Sequence, residues 1–341
     1  MTERHALRTG FTLVEVLVVI LIISLLVALM IPVVRGVMRR AEDFRYAQDL
    51  ANLEMAIHAY KEKYKDFPPD FSDCKFKPFD QTVAGRHIRM AFPRIDPNEY
   101  GVISNFAPTI DPAESLVFWL GGLSRDPKRP FTGPGGPLIL TGNSSVPVAW
   151  RVQDRNEPLF DFDESRLFLE QNGGFVVGAA YLPPGGNSTP YVYFDSRTYG
   201  FIDSSGNPQY ASLSWPSPSG GGVTIARPYK SDQPNSSFNP SANQQDNILQ
   251  DRAMHWVNRD TFQLICAGRD GEFGPLVSSG SPDLVFPDGN GNPVPVFTRF
   301  PSRQLFHPGS PPAGQVQYYL QGQDDNLANF SEGQTMEQAK P

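Results

Sequence analysis

A long, almost unbroken aliphatic segment near the N-terminus is the strongest pattern in the chain. From Val16 to Val34 only Ser24 and Pro32 interrupt a run of Val, Ile, Leu, Ala and Met. A helix rises about 1.5 Å per residue, so about 20 such residues cross the hydrocarbon core of a bilayer. The pattern predicts a membrane-spanning helix over residues 11–34. The carboxylate of Glu15 lies inside this segment, where an unpaired charge is costly.

The helical pattern continues beyond Pro32 and becomes amphipathic. Apolar side chains then recur at alternating steps of four and three residues, which places them on one face of an α-helix: Tyr46, Leu50, Leu53, Ile57, Tyr60 and Tyr64. We therefore expect residues 35–66 to extend the first helix into a globular head and to pack on it. One long helix, loosened near Pro32, is predicted to end at Asp66-Phe67-Pro68-Pro69, because a residue before proline leaves the helical region.

The remaining chain, residues 67–332, predicts one globular head with many turns. No clear period is visible from residue 70 to about 112, which indicates a loop-rich connection, whereas Glu114 to Leu123 predicts a short buried helix ended by Gly121-Gly122. Ser, Pro, Asn, Gln and Gly dominate about 204–250, which indicates a long surface loop or insertion, and residues 333–341 indicate a flexible tail. Short segments rich in Val, Tyr and Phe predict antiparallel strands: Pro147–Val152, Gly174–Tyr181, Tyr191–Phe194 and Leu264–Ala267.

The N-terminal residues Gly10-Phe11-Thr12-Leu13-Val14-Glu15, followed by VLVVILIISLLVALMIP, resemble the type IV pilin and type II secretion pseudopilin family. The resemblance implies a leader peptide over residues 1–10, cleavage after Gly10 by prepilin peptidase, and methylation of Phe11. It implies that Glu15 guides assembly by pairing with the Phe11 amino group of a neighbouring subunit, which would offset the cost of burying the carboxylate. It also implies an α+β, pilin-like fold, with the long helix packed on an antiparallel β-sheet head.

Two ordinary explanations of the apolar segment fit less well. A secretory signal peptide has a shorter apolar core and a small-residue cleavage site, which this segment lacks before Pro32. A plain signal anchor leaves the Gly-Phe-Thr-Leu-Val-Glu sequence unexplained. Arginines lie on both sides of the span, so charge bias does not orient it. The resemblance places the N-terminus in the cytoplasm, the helix in the bacterial inner membrane, and the head outside the cytoplasm.

Composition and net charge limit the partners and the kind of fold that the chain can be expected to have. The net charge of -7 argues against a nucleic-acid partner, which normally selects a basic surface. The 30 glycines and 33 prolines indicate many turns and long loops. Cys74 and Cys266 are the two cysteines, and the sequence leaves open whether they form a disulfide or two buried thiols.

An acidic, glycine-containing segment near the C-terminus is a candidate metal site. Residues 267–274 resemble the segment of major pseudopilins that lies beside a calcium-binding loop, and a second acidic group follows about fifty residues later. Calcium takes six to eight hard oxygen ligands. The predicted Ca²⁺ ligands are Asp270, Asp324 and Asp325, with Glu272 and Asn326 as further ligands. Solvated turns explain the same residues.

A rival calcium loop contains Asp288, Asn290 and Asn292, which supply oxygens at alternate positions. It departs from the EF-hand pattern, because Pro293 takes the glycine position and Arg299 takes the position of the bidentate acid. A hairpin turn is the simpler interpretation of this stretch.

Catalytic motifs are lacking in the sequence, which predicts a protein that is not an enzyme. The best catalytic candidate is His255 with Asp260 nearby, and no nucleophile stands beside them. The sequence therefore predicts a structural subunit of a pilus or type II secretion-like pseudopilus. Its partners would be prepilin peptidase, copies of itself, other pilin-like subunits and the assembly machinery. The alternative is a membrane-anchored, adhesin-like module that binds a glycan through Trp215, Tyr229 and the 204–250 insertion.

Overall fold

The fold is an α+β arrangement in which one long helix precedes a head of short helices and paired strands. The computed structural model describes residues 12–236, 253–274, 297–302 and 323–339, together with the backbone of short strands at 285–287, 293–295 and 305–306. The predicted α+β, pilin-like fold class is confirmed by this order of elements.

The first helix is the longest element and is continuous through Pro32. It begins after Thr12 and ends at Tyr64, where Lys65 turns the chain with a left-handed φ of 64°. At 1.5 Å per residue its 52 residues extend about 78 Å. The described helices are α1 (Leu13–Tyr64), α2 (Val83–Ala91), α3 (Pro97–Phe106) and α4 (Ser115–Leu120), with short 3₁₀ turns at Phe79–Gln81, Ala107–Thr109, Glu164–Arg166 and Ser196–Thr198.

The prediction of a loop-rich connection over 70–112 is wrong, because α2 and α3 lie within it. Each begins at a side-chain cap: the Thr82 hydroxyl accepts the Gly85 N–H, and the Asp96 carboxylate accepts the Asn98 N–H. Pro97 stands at the first position of α3, where a proline costs no hydrogen bond. These short helices are held by caps and tertiary packing, so they leave little periodicity in the sequence. The predicted helix at 114–123 is confirmed as α4, and Gly122 follows it with φ of 107°.

The strands are short and pair mostly antiparallel. All four predicted strand segments are confirmed, with small shifts in their bounds. The described strands are β1 (Leu138–Leu140), β2 (Val148–Trp150), β3 (Leu167–Asn172), β4 (Phe175–Tyr181), β5 (Val192–Asp195), β6 (Gly200–Ile202), β7 (Pro208–Tyr210), β8 (Leu213–Pro216), β9 (Val223–Ala226), β10 (Lys230–Pro234), β11 (Met254–Trp256), β12 (Phe262–Cys266), β13 (Val285–Pro287), β14 (Pro293–Pro295), β15 (Phe297–Phe300), β16 (Leu305–Phe306) and β17 (Leu327–Ala328).

The three-stranded sheet β17–β12–β5 packs against the second half of α1. A four-stranded sheet follows the order β11–β10–β15–β16, and its β10–β15 pair is parallel, unlike the antiparallel pairing predicted for the head. The other strands form two-stranded units: β1–β2, β3–β4, β6–β7, β8–β9 and β13–β14. The core lies between α1, α4 and the three-stranded sheet, where Tyr60 and Trp119 meet edge to face at 5.7 Å.

The interpretation of 204–250 as one long loop is wrong for its first half. Strands β7, β8, β9 and β10 lie between residues 208 and 234, and the turn joining β8 to β9 contains Gly220 and Gly221, both at positive φ. Glycine adopts that backbone conformation without steric cost, so a glycine-rich stretch here forms a hairpin turn. Residues 237–250 lie outside the described residues.

The predicted flexible tail also needs correction over residues 333–339. Met336 is 1% exposed, and its backbone N–H donates to the Asn326 carbonyl at 2.9 Å. Thr335 forms a β-bridge with Leu327, so this segment is attached to the edge of the three-stranded sheet. Burial of the Met336 side chain stabilises this attachment. The prediction of a flexible tail rested on the position of these residues at the chain end, which does not reveal such a contact.

Candidate functional site: the first helix and its attachment to the head

The first turn of α1 is closed by a reciprocal cap between Thr12 and Glu15. The Glu15 backbone N–H donates to the Thr12 hydroxyl oxygen at 3.2 Å, and the Thr12 N–H donates to Glu15 Oε2 at 2.8 Å. The Thr12 hydroxyl donates to the same carboxylate oxygen at 2.8 Å. This arrangement is a capping box, which satisfies backbone donors that the helix itself leaves open. Sequence reasoning missed Thr12, although the Thr-x-x-Glu spacing is its known signal.

The first half of α1 contributes nothing to the core of the head. Its side chains from Leu13 to Val34 are exposed, and no acidic or basic residue follows Glu15 before Arg35. Among the described residues, α1 is the one helix long and apolar enough to cross a membrane. The Ser24 hydroxyl donates to the Ile20 carbonyl at 2.7 Å, so this polar side chain is satisfied within the helix. The apolar half therefore needs an environment that the chain does not supply.

The second half of α1 is fixed to the head by its buried stripe and by polar contacts along its length. Leu53, Ile57 and Tyr60 are fully buried, as the periodicity predicts. Near the middle, the Arg166 guanidinium and the Tyr191 hydroxyl both donate to Asp49 Oδ2, the latter at 3.0 Å. Because Arg166 precedes β3 and Tyr191 precedes β5, Asp49 joins α1 to two strands.

A hydrogen-bonded network closes the head-side end of α1. The Tyr60 hydroxyl lies 2.8 Å from His87 Nε2, and His87 Nδ1 lies 3.0 Å from Asp66 Oδ2. The same Asp66 oxygen accepts from Arg197 at 2.6 Å. Burial raises the pKa of Asp66, but hydrogen bonds from His87 and Arg197 outweigh burial and lower it to about 2. Asp66 is therefore a charged anchor for the end of the helix.

The partly exposed Arg197 links this network to a second layer, in which Asp195, Asp70 and Thr198 are buried. The Arg197 guanidinium also donates to Asp195 Oδ2 at 2.5 Å, and the backbone N–H of Asp195 donates to Asp70 Oδ2 at 3.1 Å. The Thr198 hydroxyl donates to that Asp70 oxygen at 2.6 Å. Burial, with the charge of Asp195, raises the pKa of Asp70 to about 7. The chain after α1 is thus bound to β5 through one protonatable carboxyl.

Residues 6–31 match the family model described as the prokaryotic N-terminal methylation motif. The chain carries the N-terminal signal of type IV pilins and pseudopilins. The comparisons with curated proteins and with solved structures found no match. The signal marks a substrate of prepilin peptidase that assembles through pilin-like machinery, and the single long apolar helix is consistent with anchoring in the inner membrane.

The pilin-type signal and the helix geometry overlap at Glu15. Gly10 and Phe11, the predicted processing residues, lie outside the described residues. Glu15 lies inside the matched range and on the exposed first turn, where its carboxylate accepts from Thr12. Its predicted pairing with the amino group of another subunit stays a prediction.

The structure brings two of the five predicted calcium ligands together. The backbone N–H groups of Arg269 and Asp270 donate to Asp325 Oδ2 at 2.8 and 3.1 Å, so the turn after β12 is joined to the segment before β17. Burial, followed by the charge of Asp325, raises the pKa of Asp270 to about 7. The two acidic segments that the sequence analysis groups are thus in contact, although the bonded residues are 55 and 56 positions apart.

The other predicted ligands have different partners. Glu272 Oε1 accepts from the Ser217 and Ser219 hydroxyls at 2.7 and 2.5 Å. Asn326 is buried and donates to the Tyr229 hydroxyl at 3.2 Å, while Asp324 accepts the Glu337 N–H through its backbone carbonyl. In the described part of the chain no three Asp, Glu, His or Cys side chains converge as a metal site. The five residues as placed do not form one calcium site, and calcium binding stays a prediction.

The remaining candidates gain no support from the geometry. Tyr229, predicted to be an exposed glycan contact, is 4% exposed, and the half-buried Trp215 donates to the Ser188 carbonyl at 3.0 Å. Asp260 is exposed and contacts the neighbouring Arg259 at 3.2 Å. Cys74 and Cys266 are buried free thiols. The rival calcium residues Asp288, Asn290 and Asn292 lie outside the described residues.

Proposed function

We propose that this protein is a non-enzymatic structural subunit of a pilus or a type II secretion-like pseudopilus. The observation that carries the proposal is the continuity of α1. One helix begins at the methylation motif, exposes an apolar half long enough to cross a membrane, and continues without a break into the core of the head. A force applied to the membrane half is therefore transmitted directly to the head.

In the proposed pathway, the apolar helix first holds the subunit in the inner membrane with the head outside the cytoplasm. Prepilin peptidase cleaves the Gly10–Phe11 bond, which frees the Phe11 amino group. As subunits leave the bilayer, their apolar halves pack together in the interior of a filament, where an unpaired Glu15 carboxylate would be costly. Pairing with the freed amino group of a neighbour removes that cost and sets the axial position of the incoming subunit.

The first test is the chemistry of the mature N-terminus. Intact mass and N-terminal sequencing of protein from native membranes should give a chain that begins at methylated Phe11. A chain that still begins at Met1 in assembled material would contradict the proposal.

The second test separates the two functions of Glu15. A Glu15→Gln substitution keeps an oxygen that can accept the Thr12 N–H, but it removes the charge. We expect both Glu15→Gln and Glu15→Leu to lower sedimentable polymer by roughly 100-fold, since each leaves the buried amino group unpaired. Polymer at the wild-type level in Glu15→Gln would show that capping suffices and would overturn the proposed pairing.

A further inference from the structure

The second half of α1 exposes an apolar stripe on the side opposite the head. Its members recur at steps of three, four and seven residues, about half a turn from the buried stripe. Phe44 is 69% exposed and Met55 is 62% exposed, although both lie beyond the predicted membrane segment. We call this set the outer stripe: Val37, Ala41, Phe44, Ala51 and Met55.

The head carries a second unpartnered apolar surface. A groove of about 540 Å³ lies between the β1–β2 and β3–β4 units. Ile139 and Leu169 line it and are 39% and 36% exposed, and Leu140 lies beside it at 59%. We call it the side groove, with apolar lining residues Ile139, Trp150, Val152, Leu167, Leu169 and Val176.

The two surfaces carry opposite charge. Arg40 and Arg45 are exposed on either side of the start of the outer stripe. The acid next to Phe44, Asp43, is buried near Arg269. The charged residues that line the side groove are Arg151, Asp154 and Glu164, so its acids outnumber its bases. Two arginines near the groove are engaged elsewhere, because Arg155 donates to the Val117 carbonyl and Arg166 contacts Asp49. Both acids are exposed, whereas Arg151 is half-buried.

We propose that the outer stripe of one copy docks in the side groove of a neighbouring copy. The inference rests on the proposed filament function, since an open-ended assembly needs two different and complementary surfaces on every subunit. Apolar side chains such as Phe44 fill the groove, and Arg45 faces Glu164. Two outer stripes facing each other at this level would instead bring like charges together, which is unfavourable.

Charge exchange tests the orientation of this contact in the full-length chain, expressed with its own assembly machinery. Arg45→Glu and Glu164→Arg should each lower sedimentable polymer about tenfold by placing like charges together. The double variant should recover to within about twofold of wild type. Asp260→Arg, on an exposed residue outside the groove, is the matched control. A double variant no better than the singles would overturn the inference.

Cross-linking tests the contact itself. Phe44→Cys and Leu169→Cys are placed on separately tagged copies, co-expressed, and treated with a short bismaleimide. We expect a mixed-tag dimer from this pair and none when Ser205→Cys replaces Leu169→Cys. The natural thiols interfere little because both are buried and burial raises the pKa of each. Wild-type polymer without the Phe44–Leu169 cross-link rejects this inference alone, whereas processed wild-type protein that never polymerises rejects the filament function as well.

Discussion

At the scale of single residues, Glu15 shows what a sequence can and cannot reveal. The position of an acid inside an aliphatic run is visible directly, and its cost in hydrocarbon indicates a partner. The structure adds a partner inside the chain, because Thr12 and Glu15 cap each other. The Thr-x-x-Glu spacing would have predicted that cap, although the sequence analysis missed it. A partner on another molecule leaves no such spacing, so the intersubunit part of the site can be tested only in the assembled state.

Asp70 provides a prediction for pH dependence. Its pKa is raised by burial to about 7 in the folded chain, against an ordinary value near 3.8. The folded state therefore holds a proton that the unfolded state has released, and stability should fall as pH rises from about 4 to about 7. Asp70→Asn resembles the protonated carboxyl, so this variant should lose part of that pH dependence.

The measurement is the urea midpoint of full-length protein in detergent micelles at pH 4.5 and pH 7.5. Relative to Asp70→Asn, wild type should lose stability as the pH rises. The urea midpoints of the two proteins should therefore lie closest together at pH 4.5 and furthest apart at pH 7.5. Asp260→Asn, at an exposed acid, controls for surface charge. Parallel pH profiles for wild type and Asp70→Asn would show that Asp70 is ionised throughout this range.

At the scale of elements, segments with strong hydrophobic periodicity were predicted well, whereas several short elements were not. The stripe from Tyr46 to Tyr60 is buried as expected, and the strand predicted at Gly174–Tyr181 is observed at Phe175–Tyr181. Helices α2 and α3 were missed because their nine and ten residues contain few full turns and depend on caps and on contacts with distant segments. The hairpin β8–β9 was missed because glycine and serine dominate its turn. Composition alone does not separate such a turn from a loop.

The Asp49 contact should control how firmly α1 is held to the strands. Arg166 and Asp49 are each less than one fifth exposed, so removing the carboxylate leaves a largely buried guanidinium without its anion. We expect Asp49→Ala to lower the free energy of unfolding by about 2 kcal/mol, below the full cost of breaking a buried ion pair because some water reaches both groups. Urea unfolding in micelles measures the change.

The matched control is Asp260→Ala, which breaks an ion pair between exposed neighbours. Its effect should be close to zero, as for most surface pairs. Asp49→Asn should fall between the two, since an amide oxygen can still accept from Tyr191 and Arg166. Equal midpoints for Asp49→Ala and Asp260→Ala would mean that apolar packing alone attaches α1 to the head.

At the scale of the whole molecule, one continuous helix joins an apolar segment long enough to cross a membrane to the head. The sequence could predict this plan because both halves of α1 have their own periodic signal. It could not predict how the C-terminal segments return to the sheet. The pairing of Asp325 with the turn at Arg269, and the burial of Met336, depend on contacts between residues far apart along the chain. The predicted flexible tail was wrong for the same reason.

Calcium binding is predicted at the contact between the turn after β12 and the segment before β17. Asp270 and Asp325 already lie together, and a cation between them would relieve the repulsion that helps to raise the pKa of Asp270 to about 7. Glu272 would have to leave Ser217 and Ser219 to complete the ligand set.

Because a ligand that binds only the folded state stabilises it, saturating Ca²⁺ should raise the melting temperature of the full chain at pH 7.5. Protons compete for Asp270, so the rise should shrink at pH 5.5. Asp325→Asn should abolish the rise, and Mg²⁺, which demands tighter octahedral geometry, should give a smaller one. If Ca²⁺ leaves the melting temperature unchanged at both pH values, these acids serve only to join the turn after β12 to the segment before β17.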